Sequence, residues 1–215
     1  MDIMYLRKEC KKWYDCILYA VFIIFLDKTA NSRTAEAIIA MLIVIHLLSI
    51  IMQRNWFHKM MVLFTSGAFL LCVGIPFIGS YLYIHKPELF LQHDGTMLSR
   101  IQLTTTFYLR NGGFGFYGFP IEDQDCLDMM FSYIGLHWGT AAFIIISAAI
   151  IYAIYKASRE QHTSFLILLF FFLVYGWAEV APIYPVYSYL SLLLGYYIMN
   201  RKPFYCKRPY TCANF

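Results

Sequence analysis

Residues 60–84 read MMVLFTSGAFLLCVGIPFIGSYLYI, a run of 25 residues without one charged side chain. A helix needs about 20 such residues to cross roughly 30 Å of hydrocarbon. It is also the only open-ended structure that satisfies its own backbone hydrogen bonds there. Gly74 and Pro76 inside the run predict a kink, because proline removes a helical donor and crowds the turn before it.

The same reading extends outward. Hydrophobic residues make up 60% of the 215 and charged residues 14%, whereas a soluble domain is about a quarter charged. Further apolar runs lie at Trp13–Leu26, Thr34–Met52, Met129–Tyr155, Thr163–Val180 and Val186–Met199. The basic start Met1–Lys12 with its short apolar core resembles a signal peptide, but no small-x-small cleavage site follows, so it is read as the first span, with Lys11 and Lys12 reaching for the interface. The expected fold is all-α: a polytopic membrane helical bundle of about six transmembrane helices, one transmembrane domain over residues 1–215. A single long polar connection, about residues 85–128, separates the third and fourth spans.

Charge placement orients the bundle, since basic residues collect on the cytoplasmic side. Putting both termini and the short loops Gln53–Lys59 and Lys156–His162 on one side gathers twelve of the 17 Lys and Arg residues there. Lys28, Arg33, Lys86, Arg100 and Arg110 fall on the other. The expectation is a multi-pass plasma-membrane protein with cytoplasmic termini and an extracytoplasmic 85–128 loop, on the side that with Asp27 and Glu36 also holds most of the acid.

Several chemistries are not signalled. The six cysteines and six histidines are scattered, without the spacing of a metal knuckle, a redox pair or an HExxH helix, so neither a metal nor another cofactor is expected. Basic residues at span ends form no stripe for nucleic acid. Gly112, Gly113, Gly115 and Gly118 interleave with Phe114, Phe116, Tyr117 and Phe119, which suits a turn against the membrane surface better than a phosphate cradle.

The candidate site is a set of charges at the expected outer level: Arg33, Arg100, Arg110, Asp128 and Glu179. Ionisable groups near a bilayer tend to face a cavity. Each also has a plainer role, arginine on lipid phosphate or Asp128 as a helix N-cap. Guanidinium matches phosphate oxygens bidentately, and a carboxylate can take a proton from an attacking sugar hydroxyl. Together they suit a membrane-anchored substrate carrying a diphosphate and sugars.

Ser32-Arg33 after a span, Leu98-Ser99-Arg100-Ile101 in the long connection, Gly113-Phe114-Gly115, Leu127-Asp128 with Phe131 and Gly139, and Gly176–Glu179 follow one another in an order that resembles the C-terminal half of the O-antigen and capsular or exopolysaccharide polymerases, relatives of the O-antigen ligases. The resemblance covers about residues 29–195. It departs from the family pattern at Ser99, where a glycine is usual, and at Met129, where Asn follows the aspartate, and such polymerases have about twice as many spans. It implies that Arg33, Arg100 and Arg110 bind the diphosphate of a polyprenyl-diphosphate-linked oligosaccharide, that Arg100 and Asp128 are catalytic, and that Glu179 supports them. It implies glycosyl transfer without a cofactor, in company with the flippase and chain-length regulator of the same pathway, and a partial family member. Two other classes stay open: a non-catalytic partner subunit or remnant of the export machinery, and a small transporter using Glu36, His46 and the Gly74/Pro76 break.

Overall fold

The computed structural model describes residues 33–91, 96–121, 127, 129–178 and 190–199. The run expected as the first span lies outside them. All regular structure among the described residues is helical. Helix α1 is Arg33–Ile51 and α2 is Arg54–His85. The short α3, Glu88–Leu91, and α4, Thr96–Arg110, follow. One helical turn, α5 at Met130–Tyr133, runs into a π-helical turn at Ile134–Trp138 and then α6 at Gly139–Glu160. Helices α7, Thr163–Ala178, and α8, Leu190–Met199, complete the order.

Two helical stretches, Arg54–His85 and Met130–Glu160, are long and apolar enough to cross a membrane. In their most apolar windows only 33% and 28% of residues are buried, where the core helix of a soluble protein is mostly buried. Leu63, Leu70, Leu71 and Ile78 on α2, with Ile144, Ile145 and Ile151 on α6, are exposed. Apolar faces of that extent suit a lipid surrounding. Helices α1 and α7 contribute shorter apolar segments, Ile39–Ile51 and Thr163–Trp177.

The core is the seam between α2 and α7, held by polar pins as well as packing. Thr65 Oγ1 lies 2.7 Å from its own helix's Met61 carbonyl and 3.1 Å from the Leu166 carbonyl of α7. Two turns on, the Cys72 thiol donates to the Leu173 carbonyl at 2.8 Å. Residue numbers rise together along both helices, so α2 and α7 are parallel. Helix α6 runs the other way, its end meeting the start of α2 where His58 Nε2 donates to the Ser158 carbonyl at 3.2 Å. A carbonyl only accepts, so His58 Nδ1 is bare and accepts from the Thr163 hydroxyl at 2.9 Å. Helix α8 ends beside the end of α6, where Lys156 Nζ donates to the Tyr197 carbonyl at 2.7 Å and His162 Nδ1 meets the Tyr197 hydroxyl at 2.9 Å. One end of the bundle therefore collects Arg54, Lys59, Lys156 and Arg159, and the other holds the end of α2 together with α4.

Two expected loops are much shorter than the sequence suggested. The Gln53–Lys59 loop reduces to Met52 and Gln53, because Arg54–Lys59 form the first turns of α2 with Phe57 and His58 buried. The Lys156–His162 loop reduces to Gln161 and His162, with Gln161 in the left-handed conformation at φ 54°. Basic side chains there extend from helix ends and leave the backbone helical. Helix α2 continues through Pro76 to His85. The long polar connection carries helical structure at α3 and α4, and α4 packs against α2 with Ile101 over Gly79. A Cβ on Gly79 would come within 2.8 Å of Ile101 Cδ1, so the glycine permits this approach.

Candidate functional site

The stretch from Met130 to Glu160 is one apolar span in sequence and a broken helix in space. Its π-turn ends at Gly139, where φ 93° and ψ 170° take the backbone out of the helical region. Helix α6 then starts afresh with exposed amide donors. The glycine-rich loop supplies their acceptors: Thr140 N–H donates to the Gly115 carbonyl at 3.0 Å and Ala141 N–H to the Phe116 carbonyl at 3.3 Å. The Thr140 hydroxyl also donates to Gly115 O, at 3.1 Å. In the other direction Phe119 N–H donates to the Leu136 carbonyl at 2.9 Å, and His137 Nδ1–H donates to the Phe119 carbonyl at 2.8 Å.

Backbone lies on backbone at this contact, and it needs two glycines. Gly118, at φ 77°, faces the His137 carbonyl, and Gly139 faces Phe116 and Tyr117, so a Cβ on either would overlap main-chain atoms. The loop thus closes on the broken helix on one side while Phe116 and Tyr117 are exposed on the other. Irregular backbone at membrane depth is tolerated where it is buried in protein or lines a cavity, and π-turns are frequent at functional sites.

A cavity of about 210 Å³ opens beside this break. The last third of α2 contributes Pro76, Phe77, Ser80, Tyr81, Ile84 and His85, and α4 contributes Thr104 and Tyr108. Phe114 of the loop, Ser132 of α5 and Leu136 of the π-turn complete the wall. Aromatic rings knit these elements together, Phe77 with Phe114 at 5.3 Å and Tyr108 with Phe114 at 5.0 Å between centroids. Three of the lining groups are out of keeping with an apolar pocket. Ser80 Oγ, Thr104 Oγ1 and Ser132 Oγ are buried without a hydrogen-bond partner in the chain, three of the five such atoms among the described residues. Thr104 and Ser132 are only 5% and 2% exposed. An unmatched buried hydroxyl costs about 1–3 kcal/mol, so three in one cavity amount to a sizeable part of a domain's net stability.

The structure brings one sequence-predicted charge to this place. Arg100 is half-buried on α4, one turn before Thr104 and two before Tyr108, and helical spacing puts all three on one face. Arg110 is exposed at the other end of α4, its guanidinium 5.2 Å from the Phe107 ring centroid. The two arginines are thus about 15 Å apart along the helix axis and do not meet at one point. Asp128, Glu179 and the Arg33 side chain lie outside the described residues. Leu127 and Met129, either side of Asp128, are buried at the entrance to α5. Among the described residues no three His, Cys, Asp or Glu side chains group as metal ligands would.

Sequence reasoning missed Ser80, Thr104 and Ser132. Residues 96–110 were read as part of a polar connection, so the helical face of Arg100, Thr104 and Tyr108 went unread, and lone hydroxyls in three separated segments give no signal until the segments meet.

Fold and cavity define a protein that is all-helical over its described residues, with two membrane-length apolar helices and a largely apolar hollow between helix ends. No family model, no curated protein and no solved structure matches the chain.

Proposed function

We propose that this chain is a membrane glycosyltransferase of the polysaccharide polymerase type, acting on polyprenyl-diphosphate-linked oligosaccharide at the outer face of the plasma membrane. The observation that carries the reading is the cavity, with Arg100 one helical turn before its lining residue Thr104. The gathering of Arg54, Lys59, Lys156 and Arg159 at the opposite end supports this sidedness, since basic residues collect on the cytoplasmic side. Six spans with cytoplasmic termini are part of the same proposal, as is work alongside a flippase and a chain-length regulator.

In this reading a hydroxyl at the non-reducing end of the incoming unit attacks the anomeric carbon of the growing chain. The new glycosidic C–O bond forms as the bond to the diphosphate breaks, and the polyprenyl diphosphate leaves with the electron pair. Asp128 takes the hydroxyl proton, and Arg100 stabilises the charge gathering on the leaving diphosphate, as a fixed guanidinium does for phosphate oxygens. Arg33 and Arg110 add positive potential, and Glu179 holds its neighbours in place. The alternative is a non-catalytic partner subunit, favoured by the exposed apolar faces of α2 and α6, which suit another protein's helix as well as lipid.

Complementation of a polymerase-deficient strain separates the two. Arg100→Ala and Asp128→Ala, introduced singly, abolish long-chain polysaccharide while membrane insertion is kept. Normal chain length from both variants would discard the transferase assignment.

A further inference from the structure

Composition gives the glycine-rich loop four aromatic rings of equal standing, and the fold divides them. Phe114 packs on Phe77 and Tyr108, and Phe119 is tied to the broken helix through both its N–H and its carbonyl. Phe116 and Tyr117 meet edge to face at 4.8 Å between centroids and are 64% and 86% exposed. No charged side chain stands between Asn111 and Ile121. The Gly115 and Phe116 carbonyls are already taken by the Thr140 and Ala141 N–H groups. The exposed pair is thus carried on backbone whose acceptors are matched at that point, and entry into a less polar layer does not strip them of partners.

Burial and length fix the level of the pair. Every residue from Met129 to Leu136 is buried within the protein, and the first exposed ones beyond them are Ile144 and Ile145. Exposure along this stretch therefore starts past the break at Gly139. At about 1.5 Å of rise per residue, Thr140, which is bonded to the loop, lies about 24 Å along α6 from Lys156 and about 29 Å from Arg159. A hydrocarbon core is roughly 30 Å thick, so α6 reaches across it with basic side chains at one end and the aromatic loop at the other. We propose that Phe116 and Tyr117 are seated in the interfacial layer of a lipid bilayer, at the end of α6 opposite Lys156 and Arg159, and that the crossing segment begins at Gly139. An apolar ring with a polar tip, as in tyrosine, suits that layer. The pair continues the apolar face that Ile144 and Ile145 open one turn further along α6, and the main-chain contact at Gly118 and Gly139 sets its height on the helix. This seating depends on a membrane around α6 and not on the transfer chemistry, so it stands or falls apart from the Arg100→Ala and Asp128→Ala results.

The test puts a tryptophan at the loop in the full chain, Tyr117→Trp, reconstituted as single copies in phosphatidylcholine nanodiscs, with the parent's emission subtracted. The lipids carry bromine near the headgroup, at mid-chain or at the chain end, and acrylamide serves as the aqueous quencher. The added tryptophan emits to the blue of tryptophan in water and loses most emission to bromine near the headgroup. Ile145→Trp, further along α6, loses most to bromine placed deeper. Phe116→Trp takes the place of Tyr117→Trp if that variant does not fold. Quenching by acrylamide with no response to bromine at any depth puts the pair in water and overturns the proposal. Strongest quenching by chain-end bromine puts the loop at mid-membrane and overturns the boundary at Gly139. Protection from both bromine and acrylamide means that protein covers the pair, which overturns the proposal as well.

Discussion

The two halves of α2 place the same kinds of side chain in opposite circumstances. In the half that faces α7, His58, Thr65 and Cys72 each reach a carbonyl or hydroxyl across the seam. In the half that faces α4 and the π-turn, Ser80 lines one cavity with Thr104 and Ser132, and none of the three hydroxyls has a partner in the chain. A helix interior offers small polar groups two outcomes, pairing with a neighbouring helix or facing a space. The first makes a joint and the second makes a site. The surroundings differ: α7 runs parallel to α2 along the seam, whereas the break at Gly139 sets a loop against α5 and α6 beside the cavity.

The contrast can be broken most severely at the glycine contact between the loop and the broken helix. Gly118→Ala forces a methyl into the His137 main chain and is expected to cost about 4 kcal/mol, seen as a large drop in thermal midpoint or loss of folded protein in detergent. On the seam, His58→Ala leaves the Thr163 hydroxyl and the Ser158 carbonyl without their partner and should cost about 2 kcal/mol in a reversible unfolding assay. Thr65→Val, nearly equal in shape, removes the link to Leu166 for about 1 kcal/mol, since polar links between membrane helices are individually modest. The sharpest comparison is the smallest effect: the same substitution at Thr104 should leave stability unchanged or raise it slightly, because the hydroxyl it deletes has no partner to lose. Equal losses at Thr65 and Thr104 would erase the distinction between joint and site.

Much of the helix pattern was legible. The run Thr34–Met52 is α1 to within a residue at each end, and Thr163 begins α7 as the apolar block begins. Errors came where polarity was read as loop: Arg54, Lys59, Lys156 and Arg159 sit on helix, because a long basic side chain can leave an apolar surrounding without disturbing the backbone that carries it. The site was legible only in part. Arg100 stood out as a charge in an apolar chain. Its neighbours at the cavity did not, since Ser80 is in the middle of an apolar run and Ser132 looks like any small residue among aromatics.

From its amino acids alone the chain could be assigned to helices and to an apolar surrounding, because both depend on local quantities, the length of uncharged runs and the periodic placement of their ends. The break at Gly139, the parallel pairing of α2 with α7 and the meeting of three hydroxyls in one hollow depend on distances between residues far apart in sequence. Those distances are set by which carbonyl caps which amide and where two glycines let main chains touch, and only the folded arrangement decides them.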